Sequence, residues 1–192
     1  TGVQTCALPI LATNLCGPLQ WRTVMSHSLP RQLLDGDALG LDEQRALVEA
    51  ACRLRLAARE AGESLPLHGR HVAIAGDDHD TPSAQLFERA AKALGARVSR
   101  IGSAALLQGR EPTHAARMLG SLYDAIDVVP FAPEQARELQ QIAGVPVYAD
   151  LGGEGGSLQR LLPLLERTQP ASCGADDALL RLVQAVLVKT MP

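Results

Sequence analysis

Two hydrophobic rhythms alternate along this chain. Residues 71–75 (His-Val-Ala-Ile-Ala) form a short continuous apolar run, whereas Leu47, Ala51, Leu54 and Ala58 recur at three- and four-residue steps. The first rhythm marks a strand buried on both faces, and the second an amphipathic helix. The pattern predicts strands over 71–75, 97–101, 124–129 and 145–149. Helices are expected over 42–61, 81–94, 113–122, 133–143, 157–165 and 176–188. Their ends carry the usual punctuation. Asp42 can cap the first helix and Gly62 stop it, Gly95 ends the second, and Pro133 suits a first turn. Four apolar strands separated by helices predict an α/β fold, a three-layer α/β/α arrangement around a four-stranded parallel sheet.

Composition narrows the function classes. The 192 residues are 46% hydrophobic with a formal net charge of −3, enough for one domain with a real core. That charge points to neither nucleic acid nor an acidic membrane as partner. No apolar run approaches the ~20 residues that span a bilayer. Cys6, Cys16, Cys52 and Cys173 show neither metal spacing nor disulfide density, so a reducing cytoplasm is the expected location.

Residues 1–24 are set aside from the fold as a non-native or disordered leader. Thr1 to Ile10 look like a translated synthetic adaptor, and the following stretch has no amphipathic period and no features of a secretory signal. A natural start is then expected at Met25, with residues 25–192 forming a single domain.

The segment from Gly76 to Gly95 carries the most chemical information, because there a strand breaks into a polar loop and then a helix. A helix starting near Thr81 offers free backbone N–H groups and a positive dipole end to an anion. The loop nevertheless carries Asp77, Asp78 and Asp80, with no Arg or Lys before Arg89. The backbone invites an anion and the side chains repel one.

Several segments, in order, resemble a known family. Leu33 to Glu43, Leu67 to Ile74, Phe87-Glu88-Arg89-Ala90, Leu94-Gly95-Ala96, Tyr123-Asp124-Ala125-Ile126 and Val145-Pro146-Val147 resemble the N-terminal, carbamoyl-phosphate-binding domain of aspartate and ornithine carbamoyltransferases. The likeness covers about Leu33 to Glu166, and the helix over 176–188 is similar to the family's last helix, which returns from the second domain. The resemblance implies a carbamoyltransferase-like domain without the amino-acid-binding half. It also implies assembly as a homotrimer or with a carbamoyltransferase-like partner subunit.

The family's phosphate loop, S-T-R-T-R, falls on Asp80, Thr81, Pro82, Ser83 and Ala84, so both arginines are absent. A third arginine falls on Val129, and the H-P-x-Q motif falls on Gly156, Ser157, Leu158 and Gln159. Thr81, Ser83 and Gln159 remain as vestigial anion-binding residues, with no catalytic residue, metal or cofactor expected. The resemblance therefore implies an inactive binding or assembly module. Its alternative is an active or partner-complemented carbamoyltransferase.

A rival from another class is a receiver-like signalling domain, whose paired acids hold Mg²⁺. The run from Val72 to Asp80 resembles its opening. Its phosphoacceptor position, however, falls on Val129, with Asp127 mid-strand.

Other features read blandly. His79 among its aspartates fits a solvated acidic loop, Cys52 a small core residue and His114 a polar first-turn residue. Gly152 to Gly156 is expected as a mobile loop or close-approach turn, without the Lys-Ser/Thr that follows a phosphate loop.

Overall fold

A computed structural model describes residues 39–60, 65–102, 112–129, 132–154, 156, 158–168 and 175–191. The leader over 1–24 and Met25 lie outside them. Four parallel strands, β1 (His71–Ala75), β2 (Arg97–Ile101), β3 (Ala125–Val128) and β4 (Val147–Ala149), form one sheet in the order β2-β1-β3-β4. The register places Val72 opposite Val98 and Ala125, and Ile126 opposite Val147. Among the described residues there are six α-helices. They are α1 (Leu41–Glu60), α2 (Pro82–Ala93), α3 (Pro112–Leu122), α4 (Pro133–Ala143), α5 (Leu162–Thr168) and α6 (Ala175–Thr190).

Side-chain alternation sorts the strands onto two cores, because successive residues of a strand point to opposite faces. Val72, Ile74 and Tyr148 pack with Leu47 and Leu54 of α1, Phe87 of α2, and Leu182 and Val186 of α6. Ala73, Ile126, Val128 and Val147 face the other way, against Leu119 of α3 and Ala136 of α4. The three-layer α/β/α architecture follows. The second half of α6 is buried on all sides over 182–188, Gln184 included, because it lies against both α1 and α2.

The crossover through α2 runs on one face, and those through α3 and α4 run on the other. Chain direction across the sheet therefore reverses between β1 and β3. In open α/β sheets such a switch point leaves a crevice outside the carboxyl ends of the strands, where ligands bind.

Some element ends differ from expectation. α1 starts at Leu41, so Asp42 lies in its first turn instead of before it. Glu43 reaches back to accept the Gly40 N–H at 2.9 Å, the task expected of a cap. The helix expected over 157–165 is a 3₁₀ turn (Gln159–Leu161) followed by α5. Pro163 explains this: it lacks an N–H and clashes in a helix interior but suits a first turn, so the α-helix starts beside it. β4 begins at Val147 because Pro146 cannot donate to the ladder, although its carbonyl accepts the Ile126 N–H at 2.9 Å.

Candidate functional site

The switch-point crevice starts at Gly76. Its N–H donates to Ile101 O at 2.9 Å, and Val129 N–H donates to Ala75 O at 2.8 Å, so the sheet continues one residue beyond β1 and β3. A Cβ on residue 76 would run into the Val129 carbonyl, so this close approach requires glycine. The acidic loop then turns outward. Asp78 Oδ1 accepts the Asp80 N–H at 3.0 Å, and exposed Asp80 lies 3.4 Å from Arg100 Nη1. Arg100 also reaches Glu88 at 2.6 Å. Hydrogen bonds from Lys92 and then Arg100 hold the Glu88 carboxyl below its usual range.

Thr81 begins α2 in an extended conformation and accepts the Ala84 N–H on its hydroxyl at 3.2 Å, with Pro82 following in the first turn. Two residues on, the buried Ser83 hydroxyl donates to Asp150 Oδ1. Asp150 stands just after β4 in the left-handed region (φ 54°), which aspartate tolerates better than most residues. Its carbonyl accepts the Gly153 N–H at 2.9 Å. Gly152 and Gly153 make this turn possible. A Cβ on Gly152 would press on Ser83 O and Leu86, and one on Gly153 would collide with the Asp150 carboxylate. Partial burial raises the Asp150 carboxyl above its ordinary range.

Asp127 lies beneath this turn, fully buried in β3 between Ile74 and Tyr148. Its Oδ1 accepts the Leu151 N–H at 3.2 Å, while Oδ2 has no hydrogen-bond partner. Desolvation pushes its pKa to about 7; the backbone N–H groups of Leu151 and Asp150 oppose that shift and the Asp150 charge adds to it. On the same face, Tyr148 is hydrogen-bonded to Thr190, whose hydroxyl donates to Val186 O at 2.8 Å. Burial pushes the Tyr148 hydroxyl well above its usual range.

The structure thus brings Thr81 and Ser83 together in one helical turn and joins Ser83 to Asp150. Gln159 belongs to the 3₁₀ turn beyond the glycine-rich loop, half-buried, with its backbone N–H on Gly156 O at 3.2 Å. Of the three positions where the resembled family has arginines, two in the loop and one after β3, Ala84 and Val129 are buried and Pro82 is exposed. Sequence reasoning missed Asp127 and Asp150 as site residues. A signal for Asp127 was available, since a charge inside an otherwise apolar strand of a doubly covered sheet is anomalous.

A separate cleft of about 410 Å³ opens at the opposite, amino-terminal edge of the sheet, lined by Arg70, His71, Tyr123, Asp124 and Pro146 among others. There Arg70 Nη1 and the His71 N–H each donate to Asp124 at 2.8 Å. These bonds outweigh partial burial and hold the Asp124 carboxyl below its usual range. Among the described residues no helix is long and apolar enough to cross a membrane.

No family model matches the chain. The fold is shared with ornithine carbamoyltransferase from Thermus thermophilus, at 27% identity and a TM-score of 0.58 over 71% of this chain and 47% of that one. The ornithine carbamoyltransferase from Gloeobacter violaceus matches at 26% identity and a TM-score of 0.53, over 69% and 42%. The catalytic subunit of the M. jannaschii aspartate transcarbamoylase shares the fold at 22% identity and a TM-score of 0.55, over 67% and 44%. The chain spans less than half the length of each of these proteins. It has a carbamoyltransferase-like fold corresponding to part of them.

Proposed function

We propose that this carbamoyltransferase-like domain does not handle carbamoyl phosphate and serves as a binding or assembly module. The observation that carries this reading is the Ser83–Asp150 hydrogen bond. The first turn of α2, where an incoming phosphate would be held, already faces a carboxylate of the chain itself. A helix N-terminus attracts one negative group, and a second must overcome the repulsion of the first.

The positions of the missing arginines support the same reading. Ala84 and Val129 pack in the interior, leaving no room for long cationic side chains. A charge-assisted hydrogen bond contributes roughly 1.5–3 kcal/mol. Losing three removes on the order of 5–9 kcal/mol of anion binding, or about four to six decades in affinity. Carbamoyl transfer also needs its leaving phosphate neutralised and its carbonyl polarised. Ser83 spends its one hydroxyl proton on Asp150, so that hydroxyl is not free to donate to a phosphate or a carbonyl.

The module is proposed to assemble as a homotrimer or with a carbamoyltransferase-like partner subunit. The large apolar side chains Leu41, Leu56, Met118 and Leu122 are exposed and offer surface for such contacts. A cytoplasmic location is proposed with it, because a half-buried thiol at Cys52 suits a reducing compartment. Calorimetric titration with carbamoyl phosphate tests the inactive reading. Saturable binding, alone or with a partner chain, supports the catalytic alternative.

A further inference from the structure

We infer that the cleft at the amino-terminal edge of the sheet binds a small organic cation, an alkylammonium or alkylguanidinium, seated against the Asp124 carboxylate. Three helices end there. The lining includes Ser121 and Leu122 from the last turn of α3, Gly144 capping α4, and Thr190 closing α6. A Cβ on Gly120 would run into the Ala143 carbonyl, so the ends of α3 and α4 lie almost in contact. The last carbonyls of a helix have no intrahelical partner, and each C-terminus acts as roughly half a negative charge. A cation near such an end is stabilising. Yet α3 and α4 carry no basic residue in their last turns, and Lys189 of α6 lies outside the lining.

The second observation is Asp124. Arg70 Nη1 donates to its Oδ1 and the His71 N–H to its Oδ2. A carboxylate offers about four lone-pair sites, so two remain for a ligand. The side chain is 32% exposed, within reach from the cleft. Its carboxyl is held below the usual range and is therefore charged at neutral pH. Arg70 balances that charge, which leaves the field of three helix ends for a ligand to neutralise. An anion would meet the same field with Arg70 already committed to Asp124.

Size and lining select the class. At about 410 Å³ the cleft falls within the range of small-molecule sites. Leu122, Val145 and Pro146 give it an apolar wall for a short hydrocarbon body. A bare metal ion fits poorly, because no cluster of three or more His, Cys, Asp and Glu side chains forms among the described residues. The inference rests on reading the chain as a binding module and names the class of its ligand. The cleft lies at the opposite edge of the sheet from the first turn of α2, so binding of carbamoyl phosphate would leave it standing, and its own failure would leave the inactive reading standing.

Amide NMR titration of the full chain with butylguanidinium reads this directly, with butylurea as the neutral analogue and pentanoate as the anionic one. Saturable shifts are expected at the Gly69, Tyr123 and Gly144 amides, half-complete below about 5 mM, with neither analogue producing them. Asp124→Asn removes the carboxylate charge, and Ser121→Lys places a cation in the last turn of α3. Each should weaken the probe by at least about fivefold. Asp78→Asn, at the far edge of the sheet, should leave it within about twofold. If Asp124→Asn fails to fold, Ser121→Lys decides alone, since Ser121 is exposed. No saturation up to about 50 mM in the folded chain overturns the inference. So does an equal response to butylurea, saturable pentanoate binding at the same amides, or butylguanidinium binding unchanged by Ser121→Lys.

Discussion

The Ser83 hydroxyl donates a hydrogen bond to the Asp150 carboxylate, tying the first turn of α2 to the turn after β4 across 67 residues of sequence. Asp150 sits half-buried at the positive end of α2 and supplies the negative charge that such an end attracts. Asp150→Ala should therefore cost about 1–2 kcal/mol in buffer without polyvalent anions. Added sulfate should restore part of that loss in the variant and do little for the parent. Chemical denaturation with and without sulfate measures both effects, and an equal response of the two proteins would separate Asp150 from the anion position.

Asp127 sets a pH dependence whose sign is opposite to that of an ion-paired carboxylate. Its pKa is raised from 3.8 to about 7 in the fold, so between those values the native state binds more protons than the unfolded one. Stability contributed by the protonated group is present at low pH and is lost as pH rises towards 7. Asp124 and Glu88, held low, add stability that disappears only in the acid range, below the window where Asp127 dominates. The parent should lose stability on the order of a few kcal/mol between pH 5 and 8. Asp127→Asn should flatten that slope and be the more stable protein at pH 8. Denaturation midpoints across this range decide it; parallel curves for the two proteins would contradict the assignment.

Gly76 is the tightest point of the crevice. With a Cβ directed into the Val129 carbonyl, Gly76→Ala must move β1 and β3 apart where the sheet extends past their ends. A loss of about 2–4 kcal/mol is expected, larger than an ordinary surface change. Gly144→Ala provides a contrast. That glycine caps α4 at φ 73° in open space, so its substitution should cost only about 1 kcal/mol of backbone strain.

The assembly proposal has its own reading. Multi-angle light scattering of the purified chain should give a mass three times that of the 20.3 kDa chain at micromolar concentration. Met118→Lys together with Leu122→Lys should weaken the trimer if the exposed α3 face contributes to it. A monomeric mass across that concentration range would remove self-assembly.

The strands and most helices were legible because apolar runs and three-to-four-residue spacing dictate which side chains can reach a core. His71 to Ala75 and the helix start near Thr81 illustrate this; the capping role of Thr81 was not read from the sequence. Pro163 also held the reason for the 3₁₀ turn and the later start of α5, a local rule outweighed by helical periodicity. The site was only half legible. Thr81 and Ser83 are neighbours in sequence and stay neighbours in space. Asp150 meets Ser83 only once β4 is docked beside β3, and no local pattern announces such a long-range contact. Asp127 stood out within its strand, but its unpartnered oxygen depends on how the turn from Asp150 to Gly153 packs above it.

Isothermal titration of the purified chain with carbamoyl phosphate, paired with an ornithine and aspartate carbamoylation assay, tests the central claim most directly. With Asp150 on Ser83, and with Pro82, Ala84 and Val129 where the resembled family has arginines, no binding heat is expected up to millimolar ligand and no turnover of either amino acid. Saturable binding below about 1 mM, or turnover abolished by Thr81→Ala together with Ser83→Ala, would show that the helix end and its hydroxyls hold the phosphate after all.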